Sequence, residues 1–327
     1  MRRPVVVVAC LGALLGSVGP AAAPSAASTR VIGHGTARSC TSAAVVAAVR
    51  AGGTIRFSCG TKPVTIRMRA TAKVLNSRRD VVLDGGGLVT LSGLGHRRIL
   101  YMDTCDPAQK FTTSHCQDQA TPRLVVENLG FVNGNSTGQA FDGGGGGAIF
   151  VRGGRLRIVN ATFVGNRCEP TGPDIGGGAV RVLSQYHGLP VEVSGSRFTS
   201  NVCSNGGALS SIGVSWNVSH SRFTGNRAIG HGANPSRAGT PGGGSGGAIY
   251  NDGNRFALAI VSSHLSGNHA NEGGGAIFFV SNDRTGTLAI KDSVLERNRS
   301  DGFQTAGLPG IYFLGAGRPA IVGSVLR

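Results

Sequence analysis

The chain has 327 residues, of which 40% are hydrophobic and only 6% aromatic. This hydrophobic content is enough for a continuous core and excludes a chain that is disordered throughout. The 54 glycines follow no three-residue period, which excludes a collagen-like structure.

Positive charge is in large excess, because 32 lysines and arginines stand against 16 acidic residues, for a net charge of +16. Such an excess favours contact with an anionic partner, such as acidic polysaccharide, teichoic acid or nucleic acid. The sequence has none of the combined aromatic and basic motifs that are typical of nucleic-acid-binding proteins, so nucleic acid is disfavoured. A solvated, arginine-rich surface without a specific anionic ligand is the alternative.

Residues 1–23 have the pattern of a secretory signal peptide. Arg2 and Arg3 give a charged start, an apolar run covers 5–18, and alanines at 21–23 form a small-residue cleavage site. The run is too short for a comfortable membrane span, and no later segment reaches the ~18 apolar residues of a membrane helix. We therefore expect a secreted, extracellular monomer without an integral membrane anchor.

The domain is predicted to cover 41–327. Residues 24–40 show no periodicity and are predicted to be a leader segment outside the fold. A short helix is predicted over 41–52, because Thr41 or Ser42 suits the N-cap position and glycines follow its end. Since the open end of a solenoid needs a cover, this helix is expected to cap the domain.

Alternating apolar and polar residues then predict half-buried strands. These strands are expected at 54–57, 64–68, 81–83, 88–91 and 98–102. Asp84 and the three glycines after it predict a tight turn. A loop is predicted over 103–123, before the clear repeats of 124–327 begin.

Two short motifs recur through the rest of the chain. The first is a glycine followed by Ala and an apolar residue, with its alanines at Ala148, Ala179, Ala208, Ala248 and Ala276. The second is a pair of apolar residues five positions apart, and in five copies an asparagine follows, at Asn166, Asn201, Asn226, Asn268 and Asn298. The repeat length of about 25–35 residues is typical of solenoids.

These repeats predict an all-β fold, a single right-handed parallel β-helix with a short N-terminal capping helix. Alternation such as Leu156-Arg157-Ile158 places aliphatic side chains inward and polar ones outward. The repeated asparagine is expected to turn the chain, because Asn tolerates the left-handed conformation. Stacked coils would align these asparagines in a ladder.

Six cysteines follow the predicted signal peptide, and an even number in an exported chain indicates disulfides rather than a metal site. Cys168 and Cys203 occupy equivalent places in consecutive coils, about one strand spacing of ~4.8 Å apart, which suits a disulfide between coils. The other predicted pairs are Cys105 with Cys116, which closes a short loop, and Cys40 with Cys59, which would fix the leading segment.

The Gly-Gly-Ala-Ile and Phe-x-x-Asn motifs resemble the repeat of polymorphic outer membrane proteins. The coil pattern is similar to the wider pectate-lyase-like β-helix superfold. The resemblance covers 124–327 by repeat and 54–123 by general pattern. It implies the fold and says little about activity, because one scaffold carries many functions.

In enzymes of this superfold, catalytic groups lie on one outward strand face and on the loops beside it. The resemblance maps such a face onto Arg157, Glu192 and Asn217. A lyase acting on a uronate needs a cation to neutralise the carboxylate and a base for the C5 proton. Tyr186 and His187 beside Glu192 are the candidate acid and base, with Arg157 or Arg181 as the neutralising cation.

Further ligand-binding candidates lie on the same face or in the loops that border it. They are Arg181, Asn217, His220, Asp252, Arg255, Asp283 and Arg284. A glycosidase would need two carboxylates ~5–9.5 Å apart, for which Glu192 with Asp252 or Asp283 is the candidate pair. Each candidate has a structural alternative: His220 as an exposed strand residue, Tyr186-His187 as a loop tip, and the two aspartates as turn-closing residues.

The sequence lacks the signature motifs of polygalacturonases and pectate lyases and the calcium-binding nonapeptide. We therefore predict a secreted, non-catalytic binder of acidic polysaccharide, cell-envelope glycan or a cell surface. The alternative is a polysaccharide lyase or hydrolase that acts on an acidic, uronate-containing glycan. No cofactor or metal site is expected, with calcium considered only for the lyase.

Overall fold

The computed structural model of the protein describes residues 28–109, 113–139, 143–233 and 239–327. The predicted signal peptide lies outside these residues. The described chain consists mainly of short parallel strands that stack into three sheets, with one α-helix. This arrangement is a parallel β-helix solenoid, which confirms the predicted fold class.

The strands are numbered in chain order. Sheet 1 contains β1 (Thr29–Ile32), β2 (Gly53–Phe57), β3 (Val64–Arg67), β5 (Asp80–Ser92), β7 (Arg123–Val132), β9 (Arg155–Val159), β10 (Thr162–Val164), β12 (Val191–Ser194), β13 (Arg197–Thr199), β16 (Trp216–Ser219), β17 (Arg222–Thr224), β20 (Ala257–Val261), β21 (His264–Ser266), β24 (Thr287–Lys291), β25 (Val294–Glu296), β28 (Ala320–Val322) and β29 (Val325–Leu326). Sheet 2 contains β4 (Ala72–Val74), β6 (Leu100–Asp103), β8 (Ile149–Arg152), β11 (Val180–Val182), β15 (Leu209–Ile212), β19 (Ile249–Gly253), β23 (Ile277–Ser281) and β27 (Ile311–Leu314). Sheet 3 contains β14 (Val202–Cys203), β18 (Arg227–Ala228), β22 (His269–Ala270) and β26 (Arg299–Ser300).

Three 3-10 helices and one α-helix complete the described secondary structure, at Ala37–Ser39, Cys116–Asp118, Tyr186–Gly188 and α1, Ser42–Ala51. As predicted, α1 is capped at its start, where the Thr41 side chain accepts a hydrogen bond from the backbone N–H of Ala44. It ends at Gly52, whose φ of 73° is in the left-handed region that glycine adopts without strain. Its buried Val45 and Val49 face the first coils, and the helix packs against β4.

The predicted leader segment is partly wrong, because its end belongs to the fold. Strand β1 pairs in parallel with β2, and the Cys40–Cys59 disulfide fixes the segment that follows. Only Ile32 of β1 is buried, so the strand carries no alternation that sequence reasoning could detect.

Strand β4 was also missed. Asp84 accepts a hydrogen bond from the backbone N–H of Gly86 at 3.1 Å, but the glycines form a bulge within β5 rather than a turn between two strands.

The interior is built of columns of equivalent residues. The motif alanines stack as predicted, since the backbone N–H of each donates to the carbonyl of the next at 3.0–3.1 Å, along Ala148, Ala179, Ala208, Ala248 and Ala276. A second column holds the rings of Phe131, Phe163, Phe198 and Phe223, with centroids 4.6–5.0 Å apart. Both columns are fully buried, so each coil adds one layer of apolar side chains to a continuous core.

The predicted asparagine ladder is present and buried. Each amide donates to the side-chain oxygen of the asparagine in the next coil at 2.8–2.9 Å, along Asn166, Asn201, Asn226, Asn268 and Asn298. The predicted left-handed conformation is wrong for these residues. It falls one position earlier, at Ser200 (φ 53°), Arg297 (φ 54°) and equivalent glycines. The turn is completed before the asparagine, so its side chain points into the solenoid.

All three predicted disulfides are present. Cys168 and Cys203 have Cα atoms 4.8 Å apart, the predicted spacing between neighbouring coils. Cys105 is bonded to Cys116, and this pair closes the loop that follows β6.

The last coils pair their histidines with carboxylates of the next coil. His264 Nε2 lies 3.1 Å from Glu296 Oε1, and His269 Nε2 lies 3.0 Å from Asp301 Oδ2. Glu296 also accepts a hydrogen bond from Arg327 at 2.9 Å. The pKa of Glu296 is lowered, first by the hydrogen bond from Arg327 and then by that from His264. The pKa of Asp301 is lowered chiefly by its hydrogen bond with His269.

The ladder predicts a large stability loss on Asn226→Ala. The Asn226 side chain accepts from the backbone N–H and side-chain amide of Asn201, and it donates to the Phe198 carbonyl and to Asn268. Since the substitution leaves buried partners without hydrogen bonds, we expect the free energy of unfolding in urea to fall by about 3 kcal/mol. Asn217→Ala, at an exposed position, is the control and should change it by less than about 0.5 kcal/mol. Equal effects of the two variants would contradict a stabilising role for the ladder.

The lowered pKa of Glu296 predicts how stability depends on pH. A lowered carboxyl pKa adds stability above the unfolded-state value, and this stability is lost as the pH falls through the folded-state value. We therefore expect unmodified protein to have a higher Tm than Glu296→Gln at pH 6, with the difference shrinking between about pH 5 and pH 2. Glu127→Gln is the control, because Glu127 has no hydrogen-bond or ion-pair partner among the described residues. If the difference in Tm between the unmodified protein and Glu296→Gln did not change with pH, the stabilising contacts could not depend on the ionised carboxylate of Glu296.

Candidate functional site

Three of the predicted site residues lie side by side on the outward face of sheet 1. Glu192 on β12 is in register with Arg157 on β9 and with Asn217 on β16, and all three are exposed. The Asn217 amide donates a hydrogen bond to Glu192 Oε1 at 2.8 Å. A carboxylate therefore stands between a guanidinium group and an amide on consecutive coils, about 4.8 Å apart along the stack.

Arg157 and Glu192 also share a surface groove of about 390 Å³, here called the Arg157 groove. Its other polar lining residues are Arg123, Arg155 and Gln185. Two hydrogen bonds of 2.6 and 2.9 Å tie Arg123 to Asp80, and the pKa of Arg123 is raised because of them. Among the arginines of this groove, Arg155 and Arg157 are therefore the ones whose guanidinium groups are not already paired with a carboxylate of the described chain.

Tyr186 and His187 lie beside this groove on the 3-10 turn before β12. Their rings stack with centroids 4.0 Å apart, and the Arg155 guanidinium lies over the Tyr186 ring at 5.2 Å. His187 is turned towards Asp118, which accepts a hydrogen bond from its backbone N–H at 2.5 Å. The structure thus links Tyr186 to the Arg157 groove through Arg155, whereas His187 lines a separate cavity with Asp118.

The prediction of Arg181 as a ligand-binding residue assumed that its side chain is accessible to a ligand, and this assumption is wrong. Arg181 lies on sheet 2 and is only 2% exposed. It donates hydrogen bonds to Ser210 Oγ at 3.1 Å and to the backbone carbonyl of Asp174. The outward face of β11 is covered by the loop that precedes it, which strand alternation does not reveal. Arg181 therefore holds this loop on the sheet.

His220 is exposed, but it is not the strand residue that its alternative interpretation assumed. Its φ is 50°, and it forms the left-handed turn between β16 and β17. Equivalent positions in other coils have φ of 48–50°, at Asn128, Asn160, Ser262 and Asp292. This position therefore carries a backbone role in each coil, whatever its side chain contacts.

The other four candidates lie where sheet 2 ends. Asp252 is in β19, Arg255 is in the exposed loop after it, and Asp283 and Arg284 are in the exposed loop after β23. Asp283 accepts hydrogen bonds from Thr285 N–H at 3.0 Å, Thr285 Oγ1 at 2.8 Å and Ser281 Oγ at 2.9 Å. The first of these lowers the pKa of Asp283 most, so its contacts are those of a turn-closing residue. Glu192 lies on sheet 1, so the structure does not place it in one row with Asp252 or Asp283.

Sequence reasoning missed a basic surface beside the asparagine ladder. It consists of two pairs of exposed arginines, one before and one after the ladder asparagines along the chain, here together called the arginine band: Arg167, Arg197, Arg222 and Arg227. Arg197 and Arg222 are in register on neighbouring coils of sheet 1. Arg167 and Arg227 flank Val202 in one row of sheet 3. Their side chains have no hydrogen-bond or ion-pair partner among the described residues.

The sequence did contain a signal for this band. Arg-Phe-Thr occurs at 197–199 and again at 222–224, with the column phenylalanine pointing inward in both copies. The residue before an inward phenylalanine must point outward. Two such copies in consecutive coils therefore place two arginines next to each other on the surface.

No group of three or more His, Cys, Asp or Glu side chains in the described parts of the chain is placed to hold a metal ion. In the same residues, no helix combines the length and apolar character that a membrane crossing would require.

Residues 220–252 match the family described as the Chlamydia polymorphic membrane protein repeat. The matched segment contains β17, Asn226 of the ladder, β18 and the Gly-Gly-Ala-Ile motif that leads into β19. It covers less than half of the chain, and it agrees with the predicted resemblance for this repeat. The curated proteins and the solved structures give no match.

Proposed function

We propose that the protein is an extracellular, non-catalytic binder of acidic polysaccharide at a cell surface or in a cell envelope. The observation that carries this proposal is the arginine band, in which four exposed guanidinium groups lack partners within the described chain. The ligand is a carboxylated glycan chain that runs along the stack of coils.

Electrostatics supports an anionic ligand at the arginine band. Arg197 and Arg222 lie on neighbouring strands, where like charges repel each other. A bound carboxylate relieves this repulsion, and the planar guanidinium group can bind it through two hydrogen bonds. In the last coils, by contrast, the side chains of His264, His269 and Arg327 already have carboxylate partners.

The shape of the solenoid supports an extended ligand. Stacked coils present equivalent residues at a regular spacing of ~4.8 Å, which gives a long surface rather than a closed pocket. A polysaccharide with repeated carboxylates can contact successive coils in the same way.

Two findings support a cell-surface location. Three disulfides are typical of proteins in an oxidising, extracellular environment. The matched repeat family takes its printed name from a membrane protein.

The proposal predicts retention on immobilised polygalacturonate that falls steeply with salt, because the attraction between exposed charges is screened. The variant Arg197→Gln with Arg222→Gln should elute at a clearly lower salt concentration, with an affinity reduced about ten-fold, or about 1.4 kcal/mol. The readouts are salt-gradient elution and the Kd at fixed ionic strength.

The matched control is Arg38→Gln with Arg318→Gln, which removes the same charge from exposed positions outside the arginine band. We expect it to elute close to the unmodified protein. If both double variants weaken retention equally, binding follows net charge alone, and the band is not the site. Absence of retention at low salt would overturn the proposed function.

A second candidate function is cleavage of a uronate glycan by a lyase reaction, because Arg155, Arg157 and Glu192 meet in the Arg157 groove next to Tyr186. In this reaction the arginines would neutralise the substrate carboxylate and Glu192 would remove the C5 proton. The C4–O glycosidic bond would break as the C4–C5 double bond forms, and the leaving oxygen would take a proton from the Tyr186 hydroxyl.

The lyase candidate predicts unsaturated products when the protein is incubated with polygalacturonate or alginate, with and without calcium. Ultraviolet absorbance of the new double bond measures them. Glu192→Gln should reduce the rate at least ten-fold, whereas the control Glu127→Gln should not change it. If no substrate of the panel gives product, the lyase candidate is rejected and the binding proposal is unaffected.

A further inference from the structure

A cavity of about 450 Å³ lies on the outward side of sheet 2 near the last coils. The lining residues that matter here are Asp174, Asp252, Phe278, Asn282, Phe303 and Tyr312. The volume is within the range of small-molecule sites, and the combination of aromatic walls with a few polar groups is typical of such sites. The cavity shares no residue with the arginine band or with the Arg157 groove.

The aromatic wall follows from the register of sheet 2. Tyr250, Phe278 and Tyr312 occupy the same outward position on β19, β23 and β27. Their rings stack with centroids 5.0 and 5.2 Å apart. Phe303 packs edge-on against Tyr312 at 4.8 Å with an interplanar angle of 78°. The half-buried Tyr312 and Phe303 thus give the cavity two apolar surfaces at nearly right angles.

The polar part of the cavity is held in place by hydrogen bonds. Asp252 Oδ2 accepts from the Tyr250 hydroxyl at 3.1 Å. Asp252 Oδ1 accepts from the Gly253 backbone N–H at 2.6 Å and from the Asn282 amide at 3.3 Å. These three contacts fix the orientation of the carboxylate. Because a carboxylate has about four acceptor positions in all, Asp252 can still accept a hydrogen bond from a ligand. Asn282, which is exposed, adds an amide with both donor and acceptor capacity.

The cavity is acidic although the protein is strongly basic. Two aspartates line it, and no lysine or arginine is among its lining residues. The pKa of Tyr250 is raised, first by burial and then by the charges of Asp252 and Asp174, while the charge of the nearby Arg181 acts in the opposite direction. Both carboxylates therefore act on the same region. An acidic ligand such as a uronate would be repelled here.

We propose that this cavity binds a neutral pyranose unit of a glycan. The apolar face of the sugar ring would lie on Tyr312, while its hydroxyl groups would donate to Asp252 and exchange hydrogen bonds with Asn282. Aromatic faces beside oriented carboxylate and amide groups supply both kinds of contact that a sugar requires. This site would be separate from the arginine band, and it does not rest on the proposed binding of acidic glycan.

Isothermal titration of the full protein with the β-1,4-linked tetrasaccharides of glucose, mannose, xylose and galactose tests this proposal. We expect at least one of them to bind. Tyr312→Ala and Asn282→Ala should each weaken that binding at least ten-fold, and the exposed Asn282 provides a variant without loss of a core contact. Arg318→Gln, at an exposed position after β27 but outside the cavity lining, is the control and should bind as the unmodified protein does.

Specific outcomes would overturn the proposal. They are no binding of any of the four tetrasaccharides, binding that both cavity variants leave unchanged, or preferred binding of choline in a Tyr312-dependent manner, which would assign the cavity to organic cations. Arg197→Gln with Arg222→Gln separates the two proposals, because it should weaken polygalacturonate binding and leave tetrasaccharide binding unchanged.

Discussion

The structure depends on hydrogen bonding between consecutive coils at the buried asparagines. Asn226 illustrates the constraint, since its side chain bonds both to Asn201 in the coil before and to Asn268 in the coil after. A buried amide that is fully bonded stabilises one register only, because any shift of a coil would leave several polar groups without partners. The aliphatic and phenylalanine columns fill the interior, while the ladder fixes how the coils align.

A fixed register turns each repeated position into a row on the surface. Where the repeated residue is arginine, as in Arg197 and Arg222, the row concentrates positive charge. Where it is aromatic, as in Tyr250, Phe278 and Tyr312, the row forms a continuous wall. The basic surface and the acidic aromatic cavity therefore have the same origin, although they differ in the sign of their charge and in the ligand proposed for each.

Much of the fold could be predicted because the same sequence pattern, and with it the same local structure, recurs in many coils. The alanine column, the ladder and the Cys168–Cys203 bond all follow from equivalent positions in consecutive coils. Single features were harder to predict. Strand β1 buries one residue, so it has no periodic signal. Arg181 is covered by a loop that contains no repeat, and loop placement depends on tertiary contacts that local patterns do not encode.

The candidate site was predicted in part for the same reason. Register brought Arg157, Glu192 and Asn217 together, because all three hold one position of the repeat. Tyr186 and His187 follow no repeat, and although their rings stack on each other, Tyr186 contacts Arg155 whereas His187 lies next to Asp118. The cavity at Tyr312 was missed, because its polar residues come from strand β19 and from separate loops, and its aromatic wall comes from three distant segments.

The Cys168–Cys203 bond joins two coils within the stretch of solenoid that carries the arginine band. A polymer pulled along the surface by movement of a cell or by flow would load these coils in shear. A covalent link at this point transfers such a load from one coil to the next without relying on hydrogen bonds alone. The bond is thus suited to keep the proposed binding surface intact under mechanical force.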